Sequence, residues 1–273
     1  MAETKLDPYA QLPVELTEHI FSFLDYRSLA AALLVSCQWS SVARNPSLWT
    51  NHFLSATWNP EDVSCSSITL SQDCLTIHKS KTNCGSTAPK GYLVTATLPV
   101  PHNMRSYWEV TLHCTAGLGC RTAIGLISEA PLVNGPVLPD PTMAYASMQF
   151  YLTSRVYPLL NNEKGWGQHL VTGDILHLEK PVSTRGTSYA NGDRVGVMYD
   201  NTTGEGILSF YRNGELNASC KGVFGQKLFP CVQMCHSPLT LEANFKAAPP
   251  KASTATTTPT ATSSTTATTE EAK

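Results

Sequence analysis

Residues 12–49 read LPVELTEHIFSFLDYRSLAAALLVSCQWSSVARNPSLW, and this stretch decides how the N-terminal part of the chain folds. Pro13 suits the first position of a helix, because the N–H that it lacks would have no partner there. After it, apolar residues recur at the spacing of one helical face. This stripe consists of Leu16, Ile20, Phe23 and Leu24.

The same stretch predicts two further helices and a turn. Asp25 is a suitable N-cap for a second helix through residues 29–35. A third helix should end before Asn45, since the residue before a proline disfavours the helical conformation. Leu48 and Trp49 then open a final short turn. Three helices this short bury too little surface to be stable alone, so we expect a partner to complete the apolar stripe.

Residues 62–245 have the pattern of an antiparallel sheet. Side chains at 107–112 and at 239–245 alternate between apolar and more polar types, as they do on the two faces of a strand. Asn213-Gly214 is a strong hairpin signal, because both residues tolerate positive φ. Many short strands, with turns every ~8–12 residues, predict a β-sandwich.

Two stretches depart from this pattern. Residues 130–188 are broken by prolines, which predicts long loops with two or three strands among them. Residues 246–273 are rich in Thr, Ala and Ser, which predicts a disordered tail. The predicted organisation is an N-terminal extension (1–11), a three-helix domain (12–54), a short linker (55–61), a β-sandwich (62–245) and the tail (246–273).

The composition excludes several classes of protein. The net charge is −2 and there is no basic run, so we expect no nucleic-acid partner. No apolar run approaches ~18 residues, so we expect no membrane insertion. The polar first residues do not form a signal peptide, which favours a cytoplasmic and/or nuclear protein with reduced thiols.

Sequence motifs of catalysis are missing as well. Gly117-Leu118-Gly119 lacks the third glycine of a nucleotide-binding loop, and no HExxH or GxSxG occurs. Cys231, Cys235 and His236 could be imagined as zinc ligands, but without a second ligand pair the better interpretation is small buried residues on a strand. We therefore expect no metal, no cofactor and no catalytic residue.

The helical stretch resembles the F-box family, which opens on Leu-Pro and closes on Pro-Ser-Leu-Trp. The match runs through the motif without a gap, and Cys37-Gln38 departs from it where the family often has basic residues. The resemblance rests on Leu12-Pro13, Glu15-Leu16, Ile20, Leu24, Leu29, Val35, Trp39 and Pro46-Ser47-Leu48-Trp49.

This resemblance implies docking on the Skp adaptor, which sits on a cullin scaffold. Trp39 is either an adaptor contact or part of the core, and Trp49 is better assigned to the core. The implied adaptor contacts are Leu12, Pro13, Leu16, Ile20, Leu24, Val35 and Trp39.

The β region is similar to the SPRY family, which implies a concanavalin-like sandwich that binds a protein segment. The similarity is weakest at 130–188, where this chain carries an insertion. It rests on Tyr107-Trp108-Glu109-Val110, Asn191-Gly192-Asp193-Arg194-Val195-Gly196-Val197, Leu208 to Gly214, Phe229-Pro230-Cys231-Val232 and Asn244-Phe245.

Loops on a rigid scaffold carry recognition, and aromatic and arginine side chains dominate binding hot spots. The candidate substrate contacts are therefore Arg121, Tyr151, Trp166, Met234 and His236, whereas Tyr107 and Trp108 are assigned to the core.

Together the two resemblances imply a substrate-recognition subunit of an SCF-type (Skp–cullin–F-box) ubiquitin ligase that has no enzymatic activity of its own. One alternative is an interaction scaffold that uses its SPRY domain outside a cullin ligase. Another is a carbohydrate-binding sandwich.

Overall fold

The structure is a computed structural model that describes most of the chain between residues 12 and 250. Three predicted substrate contacts, Arg121, Tyr151 and His236, lie outside the described residues, as do residues 251–273 of the predicted tail. The described residues are 12–63, 67–80, 92–101, 103–114, 122–128, 159, 164–178, 180–183, 186–225, 227–234 and 237–250.

The N-terminal part contains four short helices. Asp25 caps the second one, as predicted, because its carboxylate accepts a hydrogen bond from the Ser28 N–H at 2.7 Å. The prediction of a final turn at Leu48 is wrong. Asn45 caps a further helix and Pro46 occupies its first turn. The helices are α1 (Val14–Phe21), α2 (Tyr26–Ala32), α3 (Cys37–Ala43) and α4 (Pro46–Phe53).

These helices enclose a small apolar core. The ring of Phe21 from α1 meets the ring of Trp39 from α3 edge-to-face, with 5.2 Å between centroids. Trp49 packs against the same core, as predicted, and its indole N–H donates to the carbonyl of Ala43 at 2.6 Å. The fully buried members are Phe21, Leu29, Ala32, Val42, Ala43 and Leu48.

The rest of the described chain forms strands, after one 3-10 turn at Pro60–Asp62. The strands are β1 (Ile68–Leu70), β2 (Thr76–Lys79), β3 (Tyr92–Thr95), β4 (Arg105–His113), β5 (Ala123–Ser128), β6 (Gly165–His169), β7 (Ile175–His177), β8 (Lys180–Pro181), β9 (Arg194–Asp200), β10 (Ile207–Arg212), β11 (Glu215–Cys220), β12 (Leu228–Met234) and β13 (Leu239–Asn244).

Two antiparallel sheets face each other, which confirms the predicted sandwich. One has seven strands in the order β1-β2-β13-β4-β9-β10-β11. The other has six in the order β3-β12-β5-β6-β7-β8. The predicted two or three strands within residues 130–188 are β6, β7 and β8.

The local patterns that predicted the sheet are present. Trp108, Val110 and Leu112 alternate inward along β4 and have no exposed surface. The β10–β11 hairpin turns at Asn213 and Gly214, whose φ values of 55° and 91° are the positive values that such a turn requires. Among the described residues, no helix is long and apolar enough to span a bilayer.

Candidate functional site

Helix α1 turns apolar side chains away from the helical core. Its buried residues are Thr17 and Phe21, which lie one helical turn apart and define the inward face. Leu16 and Ile20 each precede one of these residues and therefore lie about 100° around the helix. They are 44% and 42% exposed. Val14, in the first turn, is 49% exposed.

The turns that follow α1 and α2 add larger exposed groups. Phe23 is 75% exposed, and its ring touches only the edge of His19 among the described aromatic rings, at 5.0 Å. Leu34 and Val35 lie in the turn that follows α2 and are 89% and 59% exposed. Phe23 belongs to the predicted apolar stripe, but neither Phe23 nor Leu34 is among the predicted adaptor contacts. The sequence signal that points to Leu34 is the run of three large apolar residues at 33–35, because three consecutive residues cannot all face the helical core.

The other predicted adaptor contacts divide between surface and core. Pro13 is exposed and Leu12 is half-buried. Leu24 and Trp39 are half-buried and pack against the helical core.

The helical domain joins the sandwich through shared packing. Phe53, the last residue of α4, is buried in the core of the sandwich, with its ring 6.1 Å from that of Trp108 and 5.9 Å from that of Phe245. Trp58 has no exposed surface, and its ring lies 5.4 Å from Phe245. Its indole N–H donates to the carbonyl of Leu75 at 3.0 Å.

Backbone hydrogen bonds hold residues 55–61, the predicted linker, against the sheets. The Trp58 N–H donates to the carbonyl of Cys74, and the Asn59 N–H donates to the carbonyl of Thr95, both at 2.8 Å. Just beyond, the Asp62 carboxylate accepts from the N–H and the hydroxyl of Thr95 at 2.7 and 2.6 Å. Burial raises the pKa of Asp62. This segment is thus fixed along its length.

The strand register separates the substrate candidates into two groups. The end of β4 lies beside the start of β13, and the end of β12 lies beside the starts of β3 and β5. These strand ends flank the segments that contain Arg121 and His236. The segment that contains Tyr151 runs between the end of β5 and the start of β6, which pair at the opposite end of β5. We call the end of the sandwich at which β4 and β12 finish the distal end.

The helical domain attaches at the end opposite the distal end. Trp58 forms an antiparallel β-bridge with Ala96, the residue directly after β3. Its backbone and indole N–H groups donate to the carbonyls of Cys74 and Leu75, the two residues directly before β2. At the distal end, by contrast, β2 finishes and β3 begins. Strand β4 has nine residues, so it separates the two ends by roughly 30 Å.

A lysine is buried at the distal end. Lys79, the last residue of β2, is 4% exposed. Its ammonium donates to the carbonyl of Ser237 at 3.4 Å and lies 6.0 Å from the ring centroid of Tyr92. No carboxylate among the described residues forms an ion pair with it.

Two predicted substrate contacts are core residues instead. Met234 lies in β12 and has no exposed surface, so its placement in a loop is wrong. Trp166 lies in β6 with 8% exposure and stacks on the ring of His177 at 4.7 Å. Both strands are central in their sheet, so nearly every side chain on them is covered.

The Gly-Asp motif at 192–193 has a structural role. The Asp193 carboxylate accepts hydrogen bonds from the Ala190 N–H at 2.7 Å, the Arg212 guanidinium at 2.8 Å and the Asn213 amide at 2.8 Å. Burial raises the pKa of Asp193, but these hydrogen bonds outweigh burial and hold the pKa below its usual value. The motif therefore fixes the β10–β11 hairpin to the preceding loop.

Gly196 also has a structural role, because it leaves space for a tyrosine side chain on the seven-stranded sheet. A Cβ atom at this position would lie 2.3 Å from the hydroxyl oxygen of Tyr107. Only glycine leaves room for that phenol, which donates to the Glu109 carboxylate at 2.8 Å. Tyr107 is buried, as predicted, although it points away from the face that carries Trp108.

The described part of the chain holds no group of three His, Cys, Asp or Glu side chains that could bind a metal ion. Cys231 is a fully buried residue of β12, in line with the prediction of a small core residue. Cys235 and His236, its imagined companions, lie outside the described residues.

Two family models match the chain. Residues 9–55 match the model of the F-box-like family, and residues 105–247 match that of the SPRY domain family. No curated protein matches the sequence.

Solved structures of SPRY domains are also similar to part of the chain. A human SPRY domain is 16% identical, with a TM-score of 0.48, and the match covers 67% of this chain and 97% of that one. The SPRY domain of human HERC1 is 14% identical, with a TM-score of 0.46, over 68% of this chain and 96% of that one.

Proposed function

The chain belongs to the SPRY domain family and carries an F-box-like segment at its N-terminus, and on this premise we propose that it is the substrate-recognition subunit of an SCF-type ubiquitin ligase. In this proposal the helices dock on the Skp adaptor and, through it, on the cullin scaffold. The sandwich captures a protein substrate in the cytoplasm and/or nucleus. In this proposal the chain supplies no catalytic group. It acts as a tether, which raises the effective concentration of the bound substrate at the ligase to the order of mM.

The exposed apolar surface of the helical domain carries this proposal. Large apolar side chains scattered singly on a surface need no explanation, but a group of them on one small domain marks an interaction site. Among them, Leu16, Ile20 and Val35 fall on positions that the F-box resemblance assigns to the adaptor. The proposed contacts are Leu12, Pro13, Leu16, Ile20 and Val35, with Val14, Phe23 and Leu34 added on the strength of their exposure.

The substrate side of the proposal uses the distal end. The strands that flank Arg121 and His236 finish there, about the length of β4 away from the helical attachment. We therefore propose that the substrate binds at this end, where it projects away from the adaptor.

Co-purification of purified adaptor and cullin tests the ligase proposal. A Leu16→Asp, Ile20→Asp double variant places two charges in the proposed interface, and each unpaired buried charge costs several kcal/mol. We expect the wild-type chain to capture both proteins and the double variant to capture neither. The matched control is Leu216→Asp, since Leu216 is 63% exposed on β11 of the sandwich.

The outcomes separate the alternatives. Capture of both proteins by the double variant contradicts the docking surface. Capture of the adaptor without cullin by the wild type supports an interaction scaffold outside a cullin ligase. Loss of capture by the Leu216 control indicates general misfolding, which circular dichroism of each variant detects.

A further inference from the structure

Helix α4 belongs to two cores at once. Leu48, near its start, is buried in the helical core, and Phe53, at its end, is buried in the sandwich core. The five residue steps from Leu48 to Phe53 rise about 7.5 Å along one rigid helix. A helix that short cannot leave one core while it stays fully packed in the other.

The sandwich core is incomplete without this junction. Phe53 packs against the rings of Trp108 and Phe245, and Trp58 packs against the ring of Phe245. Trp108 and Phe245 are 0% and 2% exposed. Removal of the residues before 62 would expose the rings of Trp108 and Phe245 to solvent. The hydrogen bonds that Trp58 and Asn59 make to the carbonyls of Cys74 and Thr95 would be lost with them.

We propose that the helical domain and the sandwich unfold as one cooperative unit, so that a ligand on the helices stabilises the distal substrate end. The ligand in question is the adaptor, and this part of the inference rests on the proposed function. Binding to the native state alone lowers the unfolded population by the factor 1 + [L]/Kd. In one cooperative unit that factor applies to every strand and not only to the helices.

Hydrogen exchange of the full chain measures this coupling. With the Skp adaptor at about one hundred times its Kd, amides that exchange through global unfolding should slow about a hundredfold. We expect that slowing in α1 and equally in β9, in the middle of the seven-stranded sheet. A slowing confined to the helices, with β9 unchanged, would overturn the inference and leave the proposed adaptor docking intact.

Urea unfolding without the adaptor provides an independent test. Pulse labelling should give one midpoint for the helices and for β9 in the wild type. Separate midpoints in the wild type would refute the shared unit, whether or not the adaptor binds. Absence of adaptor binding contradicts the proposed function alone.

A pair of variants locates the coupling at Phe53. Phe53→Ala empties the site between Trp108 and Phe245, whereas Phe53→Leu keeps most of its apolar volume. We expect the alanine variant to separate the two midpoints and the leucine variant to keep them coincident. Equal separation in both variants, or in neither, contradicts the role of Phe53.

Discussion

Phe23 provides a test of the proposed docking surface at a position that the family resemblance did not assign to the adaptor. It is 75% exposed, so the truncation Phe23→Ala removes few contacts within the chain. Surface substitutions of this kind usually change the free energy of unfolding by less than ~0.5 kcal/mol. A stable variant with weakened binding is therefore the expected result.

The magnitude follows from the exposed area. A phenylalanine side chain buries about 200 Å² when fully covered, so its exposed three quarters amount to roughly 150 Å². At ~25 cal/mol per Å² full coverage by the adaptor contributes about 4 kcal/mol, which is an upper bound. If half of that area is covered, the loss is about 2 kcal/mol, or a roughly thirtyfold weaker Kd.

Calorimetric titration with purified Skp adaptor measures this loss, and thermal unfolding of the free chain checks stability. Phe224→Ala is the matched control, because Phe224 is also exposed, at 55%, but lies in the sandwich domain. Phe21→Ala is the opposite control, since Phe21 is 2% exposed and its truncation should cost about 3–5 kcal/mol of stability. Unchanged adaptor affinity in Phe23→Ala would refute the assignment, as would an equal loss in Phe224→Ala.

Three further variants test the packing of the sandwich. Lys79→Met should leave the thermal midpoint unchanged or raise it, because the buried ammonium has one long hydrogen bond among the described residues; a large drop would contradict this account. Gly196→Ala should cost about 1–3 kcal/mol in urea unfolding, since the new methyl group meets the Tyr107 hydroxyl, and Gly196→Ala with Tyr107→Phe should recover part of that loss. The lowered pKa of Asp193 contributes stability above the usual aspartate pKa of about 4, and this contribution disappears as the pH falls through the folded value. Asp193→Asn should therefore lower the free energy of unfolding at neutral pH, and this free energy should fall less steeply with acid than in the wild type. An equal loss of stability with falling pH in both proteins would contradict the role of Asp193.

Local chemistry made much of the fold predictable. The Asn213-Gly214 turn needs positive φ at both residues, and few other residue pairs tolerate it. Asp25 caps a helix through its own side chain, three residues from the N–H that it binds. The alternation along β4 follows from the twofold period of a strand. Each of these signals lies within a few residues, so the sequence alone contains it.

Positions that depend on strand order were not predictable in this way. Met and Trp are residue types that are common in binding sites, but Met234 and Trp166 each lie on a strand that has a neighbouring strand on both sides. Coverage by neighbouring strands is a property of sheet order, which comes from contacts far apart in the chain. The same holds for the buried Lys79, whose acceptor lies on a segment 158 residues away.

The sequence by itself determined that short helices precede a series of antiparallel strands, because periodicity, caps and turns are short-range properties. Only the tertiary structure decided which apolar residues of α1 turn inward and that the predicted linker is part of the sandwich core. Helical periodicity defines a stripe but not the surface that covers it. Phe53 and Trp58 look alike in sequence to other aromatic residues, and their role depends on Trp108 and Phe245, which the chain brings to them from 50 or more residues away.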